Sequence, residues 1–338
     1  MMDLMLEIDG SYGEGGGQIL RTTIALSAVT GIPVYIKNIR AKRPKPGLAA
    51  QHLEALRCIA LLTDADVSGL KLGSTELTFY PKEIKSGEYD IDIGTAGSIT
   101  LLLQCLMPVA VRIKDSISLN IRGGTDVAWS PPVDYLRYVM LPMIAKMGYY
   151  AHIDLISRGY YPRGGGLVKA VVHPSILSGV VLQRGKIEIK GVSHCSRLPE
   201  HVAMRQAISA KEVLAEGGYD AQISTEFSQN DSTGSGITLW CPGMGGSSLG
   251  EKGKPAEEVG REAARALLNE LRSGASTDVH LADQLIPYMA LANGECSLTT
   301  RFLTSHARTN IWVVEKFLDF KFKIEDKREK SDLVCIRK

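Results

Sequence analysis

The chain has 338 residues, of which 44% are hydrophobic and 22% are charged, and its 39 basic and 37 acidic residues leave a formal net charge of +2. This composition is that of an ordinary globular protein with enough chain for two domains. Because the charges nearly balance, the composition argues against a protein that coats nucleic acid indiscriminately.

The cysteines and the apolar segments bear on the compartment. No two cysteines form a CxxC pair, which indicates reduced thiols and argues against a disulfide frame or a zinc site. The first residues show no signal-peptide pattern. The longest apolar run, residues 99–111, is interrupted by Gln104 and Pro108 and is too short to cross a bilayer. We therefore expect a soluble, cytoplasmic protein with no membrane partner.

The first predicted elements are a strand over residues 4–9, a glycine-rich turn over residues 10–17 and a helix that Gly31 closes. A glycine-rich turn that leads into a helix N-terminus is a natural anion cradle. No Gly-Lys-Ser/Thr follows, so the turn is not a Walker loop. Glu14 and Arg21 bracket the turn, as a candidate metal ligand and a candidate phosphate ligand. The alternative is a tight strand-to-helix turn without a ligand.

A basic loop follows the next predicted strand, residues 34–39. Residues 15–53 contain no Asp or Glu, which suits a phosphate-bearing ligand, and a solvated basic loop is the alternative. The basic residues of this stretch are Arg21, Lys37, Arg40, Lys42, Arg43 and Lys45. A predicted helix over residues 48–62 carries Gln51 and His52, and strands follow near residues 65–67 and 76–79.

The same order of elements recurs twice. The second unit has its strands, glycine turn and helices at residues 89–93, 94–98, 99–111, 116–121, 133–147, 151–156 and 167–172. The third unit begins near Ser276 and has its helices and strands at residues 281–292, 297–303, 310–318, 320–324 and 333–336. This reuse predicts an α/β fold built from three βαβαββ-type units.

Residues 182–274 break the pattern and are interpreted as an insertion. Its predicted strands and helices cover residues 186–192, 199–215, 221–227, 236–241 and 255–271. Residues 230–236 are predicted to form a hairpin turn. Residues 246–253 are predicted to be a surface loop, with a flexible approach to the main cleft as the alternative. We therefore expect a large catalytic domain, residues 1–181 and 275–338, and a smaller inserted α/β domain, residues 182–274.

His306 lies in the predicted loop 304–309 of the third unit, between two apolar segments. No carboxylate is near it in sequence and Arg308 follows, so the imidazole is expected to be neutral and able to attack an electrophile such as phosphorus. The alternative is a structural histidine that caps the next helix. His306 occupies the loop that carries the basic residues in the first unit, and equivalent loops of packed repeats can converge on one cleft. This position favours a functional site.

Three motifs coincide in this chain: residues 11–21 (SYGEGGGQILR), residues 280–285 (HLADQL) and residues 305–311 (SHARTNI). Together they resemble the RNA 3′-terminal phosphate cyclase family, over essentially the whole chain. The resemblance implies a large domain of three repeated units, similar to the enolpyruvyl transferases, with a smaller inserted domain. It also implies ATP-dependent conversion of an RNA 3′-terminal phosphate into a 2′,3′-cyclic phosphate.

The resemblance implies roles for individual residues. His306 is the histidine that becomes adenylylated, Arg21 assists it, and Glu14 contacts a divalent cation, Mg²⁺ or Mn²⁺. The phosphates and the RNA end are contacted by Arg40, Arg43, Gln51 and His52. The nucleotide pocket comprises Gln104, Pro131, His280, Leu281, Ala282, Asp283 and Gln284. Where some members place a tyrosine to stack on adenine, this chain has His280, whose imidazole stacks less extensively.

Two other functions are compatible with parts of this sequence. A non-catalytic relative that scaffolds RNA in ribosome assembly keeps the fold and is expected to lose the nucleophile. An enolpyruvyl transferase shares the repeated unit and has no evident use for His306. The presence of His306, Glu14 and Arg21 favours the cyclase. For a homodimer the sequence offers only strand edges and the charged residues 325–330.

Overall fold

The first four strands form one sheet on which the glycine turn is built. The computed structural model describes residues 5–326 and 330–337, and of residues 332 and 335–337 it describes the backbone only. Residue 4 of the first predicted strand and residues 327–329 of the charged segment lie outside this range. The elements of the first unit are β1 (Leu6–Asp9), α1 (Gly17–Thr30), β2 (Val34–Lys37), α2 (Ala50–Leu62), β3 (Asp66–Ser68) and β4 (Leu77–Tyr80).

The sheet has the order β1-β2-β4-β3, with β1 and β2 parallel and the other neighbours antiparallel. Gly31 ends α1 in the left-handed conformation, with φ of 76°, and its amide donates to the Ser27 carbonyl over 2.9 Å. Glycine adopts this conformation without a Cβ penalty, and the predicted helix end is confirmed.

The second sheet has the same arrangement as the first, in the order β5-β6-β8-β7 with only β5 and β6 parallel. The predicted helix over residues 99–111 divides into α3 and a 3₁₀ segment, because Pro108 has no amide hydrogen to donate. The elements are β5 (Gly87–Asp92), α3 (Ile99–Leu106), the 3₁₀ segment Met107–Val111, β6 (Ile117–Gly123), α4 (Val133–Tyr135), the π segment Leu136–Met140, α5 (Leu141–Ala145), β7 (Ala151–Ser157) and β8 (Gly166–Val172).

The third sheet is antiparallel and has the order β13-β15-β14, from β13 (Gly294–Thr300), β14 (Lys323–Asp326) and β15 (Ser331–Arg337). The helices α8 (Val279–Leu291) and α9 (Ser305–Phe317) flank β13 in the chain. Parallel bridges of Ser178 with Asn293 and of Val181 with Ser297 bring the segment before the insertion alongside β13. The α/β class is thereby confirmed, whereas the threefold repeat stays a prediction.

The insertion forms a sheet of its own in the order β10-β9-β11-β12. Its elements are β9 (Ile189–Ser196), α6 (His201–Glu216), β10 (Ala221–Ser228), β11 (Gly234–Cys241), β12 (Met244–Leu249) and α7 (Ala256–Arg272). Buried apolar side chains between Ile189 and Ala275 form one cluster, and a larger cluster takes residues from both sides of this segment. The domain boundaries at residues 182 and 274 stay a prediction.

The hairpin predicted in the insertion is wrong, and the predicted surface loop is wrong for residues 246–249 and confirmed for residues 250–253. Residues 230–236 do not close a hairpin, because β10 pairs in parallel with β9, and β11 lies antiparallel on the other side of β9. Residues 244–249, which include half of the predicted surface loop, form the strand β12. Its glycines hide the strand signal, yet a Cβ at Gly245 would come within 2.7 Å of the Tyr135 ring, so small residues are needed for this close packing.

The two glycine-rich turns, residues 10–17 and 94–98, each follow the first strand of a parallel pair, β1 with β2 and β5 with β6. The amide of Gly10, after β1, donates to the carbonyl of Lys37, at the end of β2, over 2.7 Å. Ser98, after β5, bridges Gly124, after β6. Open α/β sheets bind ligands outside the carboxyl ends of such strands. Among the described residues, no helix combines the length and the apolar character needed to cross a membrane.

Candidate active site

The glycine turn packs tightly against two helices. Gly13 and Gly15 have φ values of 59° and 58°, in the left-handed region that favours glycine. A Cβ on Gly13 would collide with the hydroxyl of Thr309 in α9, and a Cβ on Gly17 would collide with the imidazole of His52 in α2. The turn therefore brings the start of α1 against residues that lie far away in sequence.

His306 belongs to the first turn of α9, so its predicted position in a loop is wrong. Thr304 is the N-cap of this helix, and its Oγ1 accepts a hydrogen bond from the Ala307 amide over 3.0 Å. A capping threonine starts a helix three residues before the amide that it satisfies, so Thr304 is the sequence signal that places His306 inside the helix. Thr304 also excludes His306 as the cap. The His306 side chain remains 47% exposed.

Glu14 approaches His306 from the glycine turn. Its Oε2 lies 3.2 Å from His306 Nε2 and 3.6 Å from Arg43 Nη2. The neighbouring Lys42 holds the turn, because its Nζ donates to the Gly13 carbonyl over 2.9 Å. The structure thus brings together the predicted nucleophile His306, the predicted metal ligand Glu14 and Arg43 of the basic loop.

The pKa of His306 is lowered from its ordinary value, first by burial and then by the positive charges of Arg21 and Arg43. Glu14 opposes this shift, because a carboxylate favours the imidazolium form. The balance favours a neutral imidazole at pH 7, and a neutral imidazole has a lone pair for nucleophilic attack.

A chain of side-chain hydrogen bonds joins α1 to α9 and α8. Arg21 Nη2 donates to Gln18 Oε1 over 2.8 Å, and Gln18 Nε2 donates to Asn310 Oδ1 over 3.1 Å. The same Oδ1 accepts from Thr22 Oγ1 over 2.6 Å, and Asn310 Nδ2 donates to the Asp283 carbonyl over 2.9 Å. Gln18, Thr22 and Asn310 received no role from sequence. The available signal was spacing, because Asn310 lies one helical turn after His306 on the same face.

A polar cavity lies beside this hydrogen-bonded chain. Arg21 Nε, Gln284 Oε1 and Tyr288 Oη line it and are buried without a hydrogen-bond partner in the described part of the chain. Burial lowers the pKa of Arg21 to about 10. Unpaired buried polar groups are unfavourable, so this lining suits a polar ligand. The full lining is Gln18, Arg21, Thr22, Ala25, Gln104, Pro108, Met140, Asp283, Gln284, Pro287, Tyr288 and Asn310.

The segment 280–284 divides between the cavity and the core. Asp283 and Gln284 line the cavity, and the side chain of His280 is exposed. The side chains of Leu281 and Ala282 are fully buried in the main core, because they lie on the inner face of α8. For these two residues, only backbone atoms remain to meet a nucleotide.

The other predicted phosphate ligands surround the start of α1. Arg40 is half-buried, and its Nη1 donates to the Gly47 carbonyl over 2.8 Å. Burial, together with the charges of Arg21 and Arg40, lowers the pKa of His52 to about 3, so this histidine is neutral. Gln51 is exposed. Pro131 lies in the second unit, where its carbonyl accepts from Thr100 Oγ1 over 2.7 Å.

A divalent cation would find one carboxylate in this group, that of Glu14. Among the described residues, the group of acidic and histidine side chains near enough to share an ion is Asp126, Asp134 and His194, which does not include Glu14. A single half-exposed carboxylate fits Mg²⁺ that is bound mainly through substrate phosphates. The residues present are therefore compatible with the predicted cation.

The chain is similar, over nearly its whole length, to proteins of one family. The family model described as "RNA 3'-terminal phosphate cyclase" matches residues 12–324. A protein of Methanococcoides burtonii named "RNA 3'-terminal phosphate cyclase" is 56% identical, with 98% of this chain and 99% of that protein covered. A Pyrococcus furiosus protein of the same name is 48% identical, with 99% of each chain covered.

Among solved structures, the enolpyruvyl transferase NikO from Streptomyces tendae matches at 12% identity, with a TM-score of 0.40 over 97% of this chain and 48% of that one. A TM-score of this size is too low to relate the two folds.

Proposed function

The chain belongs to the RNA 3′-terminal phosphate cyclase family, and from this premise we propose that it converts an RNA 3′-terminal phosphate into a 2′,3′-cyclic phosphate at the expense of ATP. The observation that carries the proposal is the meeting of His306 with Glu14 and Arg43 at the glycine turn. A neutral imidazole near basic side chains, in the first turn of a helix, suits phosphoryl chemistry.

In the first step, His306 attacks the α-phosphorus of ATP. A P–N bond forms, the bond to the β-phosphate oxygen breaks, and pyrophosphate leaves. The neutral state of His306 supports this role, since protonation would remove the lone pair. Arg21 and Arg43 are close enough to lower the pKa of His306, and the same positive charges stabilise the charge that develops on the phosphoryl oxygens.

Glu14 has to separate from His306 before the attack through Nε2. At 3.2 Å from a carboxylate oxygen, Nε2 is the nitrogen at which the neutral ring holds its proton, so its lone pair is not free for attack while Glu14 stays there. Glu14 would hold the divalent cation, and the ion would supply charge neutralisation at the phosphates. Binding of ATP and a cation would therefore draw the carboxylate away from the imidazole.

In the second half, an oxygen of the RNA 3′-phosphate attacks the AMP phosphorus, the P–N bond breaks, and His306 is restored. The 2′-hydroxyl of the same ribose then attacks the 3′-phosphorus, loses its proton, and expels AMP. Because this last step is intramolecular, orientation provides much of the acceleration. It requires a 2′-hydroxyl, so a DNA 3′-phosphate is expected to stop at the adenylylated end.

The test uses ATP labelled at the α-phosphate together with Mg²⁺, without RNA. The protein is expected to retain label that is lost in acid and stable in alkali, and the His306→Ala variant is expected to retain none. His152→Ala is the matched control, because His152 is an exposed histidine that also lies beside a carboxylate, 2.9 Å from Asp154. This control should label like the wild type.

Unlabelled wild-type protein would contradict the covalent mechanism, and so would equal labelling of the His306 and His152 variants. The same assay tests the remaining candidate, a non-catalytic protein that binds RNA during ribosome assembly. Such a protein would bind 3′-phosphorylated RNA without taking up label and without producing a cyclic end.

A further inference from the structure

Trp129 has a conformation and an exposure that folding does not explain. Its side chain is 99% exposed, so the indole contributes almost no buried apolar area. Its φ of 66° lies in the left-handed region, which is unfavourable for a bulky residue. The other tryptophans have ring partners: Trp240 stacks on Tyr138 at 4.3 Å and Trp312 stacks on Tyr12 at 4.1 Å. Strained and unburied side chains of this kind concentrate at binding sites.

A second exposed ring lies in the neighbouring turn. Asp126 bridges Tyr160, so the loop that carries Trp129 runs beside residues 160–164. In that turn the Tyr161 ring is 76% exposed and Arg163 is exposed as well. Both turns belong to the second unit and follow the ends of its strands. Two aromatic faces and one guanidinium are therefore presented to solvent in the same region.

The turn that carries Tyr161 is linked to the candidate active site through packing contacts. Gly164 packs against Thr95 and Ala96, since a Cβ on Gly164 would come within 2.9 Å of the Ala96 Cα. The turn that contains Thr95, Ala96 and Gly97 also contacts α2, because a Cβ on Gly97 would lie 3.6 Å from the Gln51 Cβ. The next residue of α2, His52, touches Gly17 at the start of α1. Packing contacts thus lead from Gly164, three residues after Tyr161, to the start of α1 beside the glycine turn.

We propose that Trp129 and Tyr161 are stacking platforms for unpaired bases of the RNA whose 3′-phosphate reacts at His306. This inference rests on the proposed function and adds a binding subsite to it. Aromatic side chains recognise single-stranded RNA by stacking on its bases, and arginine contacts its phosphates. Any base can stack on an aromatic ring. The subsite should therefore favour longer, single-stranded RNA and show little preference for base sequence.

Single-stranded RNA suits this surface better than a protein partner does. The neighbouring apolar side chains of Val127 and Tyr160 are buried, so Trp129 and Tyr161 present two separate rings, which is typical of stacking and unlike a hydrophobic protein interface. Asp231 packs against Gly165, so the region is not uniformly basic, and the rings must supply much of the affinity.

The test compares two substrates, an RNA octamer and a dinucleotide, each with a 3′-phosphate. Trp129→Ala and Tyr161→Ala should each raise the KM for the octamer about tenfold, which corresponds to about 1.4 kcal/mol and lies within the range for base stacking. The KM for the dinucleotide and the labelling by ATP should stay as in the wild type. Tyr150→Ala is the matched control, because this tyrosine is 63% exposed and precedes β7 at the opposite end of the second sheet.

Fluorescence provides a readout that does not need turnover. The octamer should quench the emission of the wild type, and Trp129→Phe should remove most of this quenching while Trp240 and Trp312 remain. An unchanged octamer KM in both alanine variants, with a wild type that cyclises both substrates, would overturn the subsite and leave the proposed function intact. A raised KM for ATP in Trp129→Ala would also overturn the subsite, because it would show that the Trp129 ring binds the nucleotide. Failure of the wild type to label would refute the proposed function, and the quenching experiment would still decide the subsite.

Discussion

Asp283 shows how one buried residue links the candidate site to stability. Its side chain is 7% exposed, and its Oδ1 accepts from Thr304 Oγ1 over 2.6 Å. Burial raises its pKa from 3.8 to about 7, and the nearby carboxylates of Asp278 and Glu14 act in the same direction. The folded protein therefore retains a proton here that the unfolded chain releases.

The sign of the resulting pH dependence follows from the raised pKa. Below pH 3.8 the carboxyl is neutral in both states, and its contribution is fully present. As the pH rises from 3.8 towards about 7, only the unfolded state ionises, so stability is lost across this window. Above about pH 7 both states are ionised, and the loss is complete.

We predict that Asp283→Asn stabilises the protein at pH 8 by up to about 4 kcal/mol, since each pKa unit corresponds to about 1.4 kcal/mol. The amide keeps the acceptor for Thr304 and cannot ionise. The gain should shrink steadily as the pH falls to 4, as measured by denaturant unfolding at each pH. Asp220→Asn, at an exposed position before β10, should show no such trend. A gain that is equal at pH 4 and pH 8 would contradict the buried-carboxyl explanation.

His306 and Glu14 show which features of the candidate site can be predicted from the sequence and which cannot. The motifs singled out His306 and Glu14, but no local pattern indicates that their side chains lie 3.2 Å apart. That distance depends on how α1 packs against α9. The Gln18–Asn310 hydrogen bond was unforeseen for the same reason, because it joins side chains on two helices that are distant in the chain.

At the scale of elements, the glycine turn packs so closely against α9 that neither can move without displacing the other. Gly13 combines a φ of 59° with a close approach to the Thr309 hydroxyl. This hydroxyl donates to the Ser305 carbonyl over 2.8 Å, so it is held and cannot move aside freely. A side chain at Gly13 therefore has to push the turn, and Glu14 with it, away from His306.

We predict that Gly13→Ala lowers labelling by α-labelled ATP at least about tenfold, a change equivalent to about 1.4 kcal/mol. Gly31→Ala is the control, because Gly31 has a φ of 76° but nothing within 4 Å of the added Cβ. Both variants carry the cost of a left-handed alanine, about 1–2 kcal/mol of stability. Only the first should lose labelling, and equal labelling in the two would show that the turn tolerates the displacement.

Most elements with a clear apolar period were predictable, and the failures have identifiable causes. The helix α7 was expected over residues 255–271 and is observed at Ala256–Arg272. The strand β12 was missed because its glycines, needed for close packing, weaken the strand pattern. The supposed hairpin after β10 failed because turn residues indicate a change of direction and do not specify which strands pair.

At the scale of the whole molecule, a buried ion cluster joins the inserted segment to the rest. Arg158 is 5% exposed, and its Nη2 lies 2.7 Å from Asp134 Oδ2 and 2.7 Å from Glu226 Oε2. Its Nη1 lies 3.3 Å from Asp126 Oδ2, and Asp126 in turn faces His194 of β9. Burial alone would raise the pKa of Asp126, but His194 and Arg158 hold it well below its usual range.

Nothing in the local sequence announces this cluster, because its members come from four separate parts of the chain. Asp134 belongs to α4, Arg158 follows β7, and His194 and Glu226 belong to the inserted sheet. Tyr160 adds a further link, since its hydroxyl lies 2.7 Å from His194 Nδ1. The inserted segment is therefore attached through charged groups that depend on one another for compensation.

We predict that Arg158→Met destabilises the protein by about 3–5 kcal/mol, because the substitution leaves two buried carboxylates without their cation. Arg205→Met is the matched control, since Arg205 makes a bidentate pair with Glu257 on the surface, at 2.6 and 2.7 Å. Exposed pairs of this kind contribute about 0–1 kcal/mol, so the control should unfold nearly as the wild type does. Unfolding in urea at pH 7 distinguishes the two. Similar midpoints for both variants would mean that the carboxylates find other compensation, and that Arg158 does not hold the inserted segment in place.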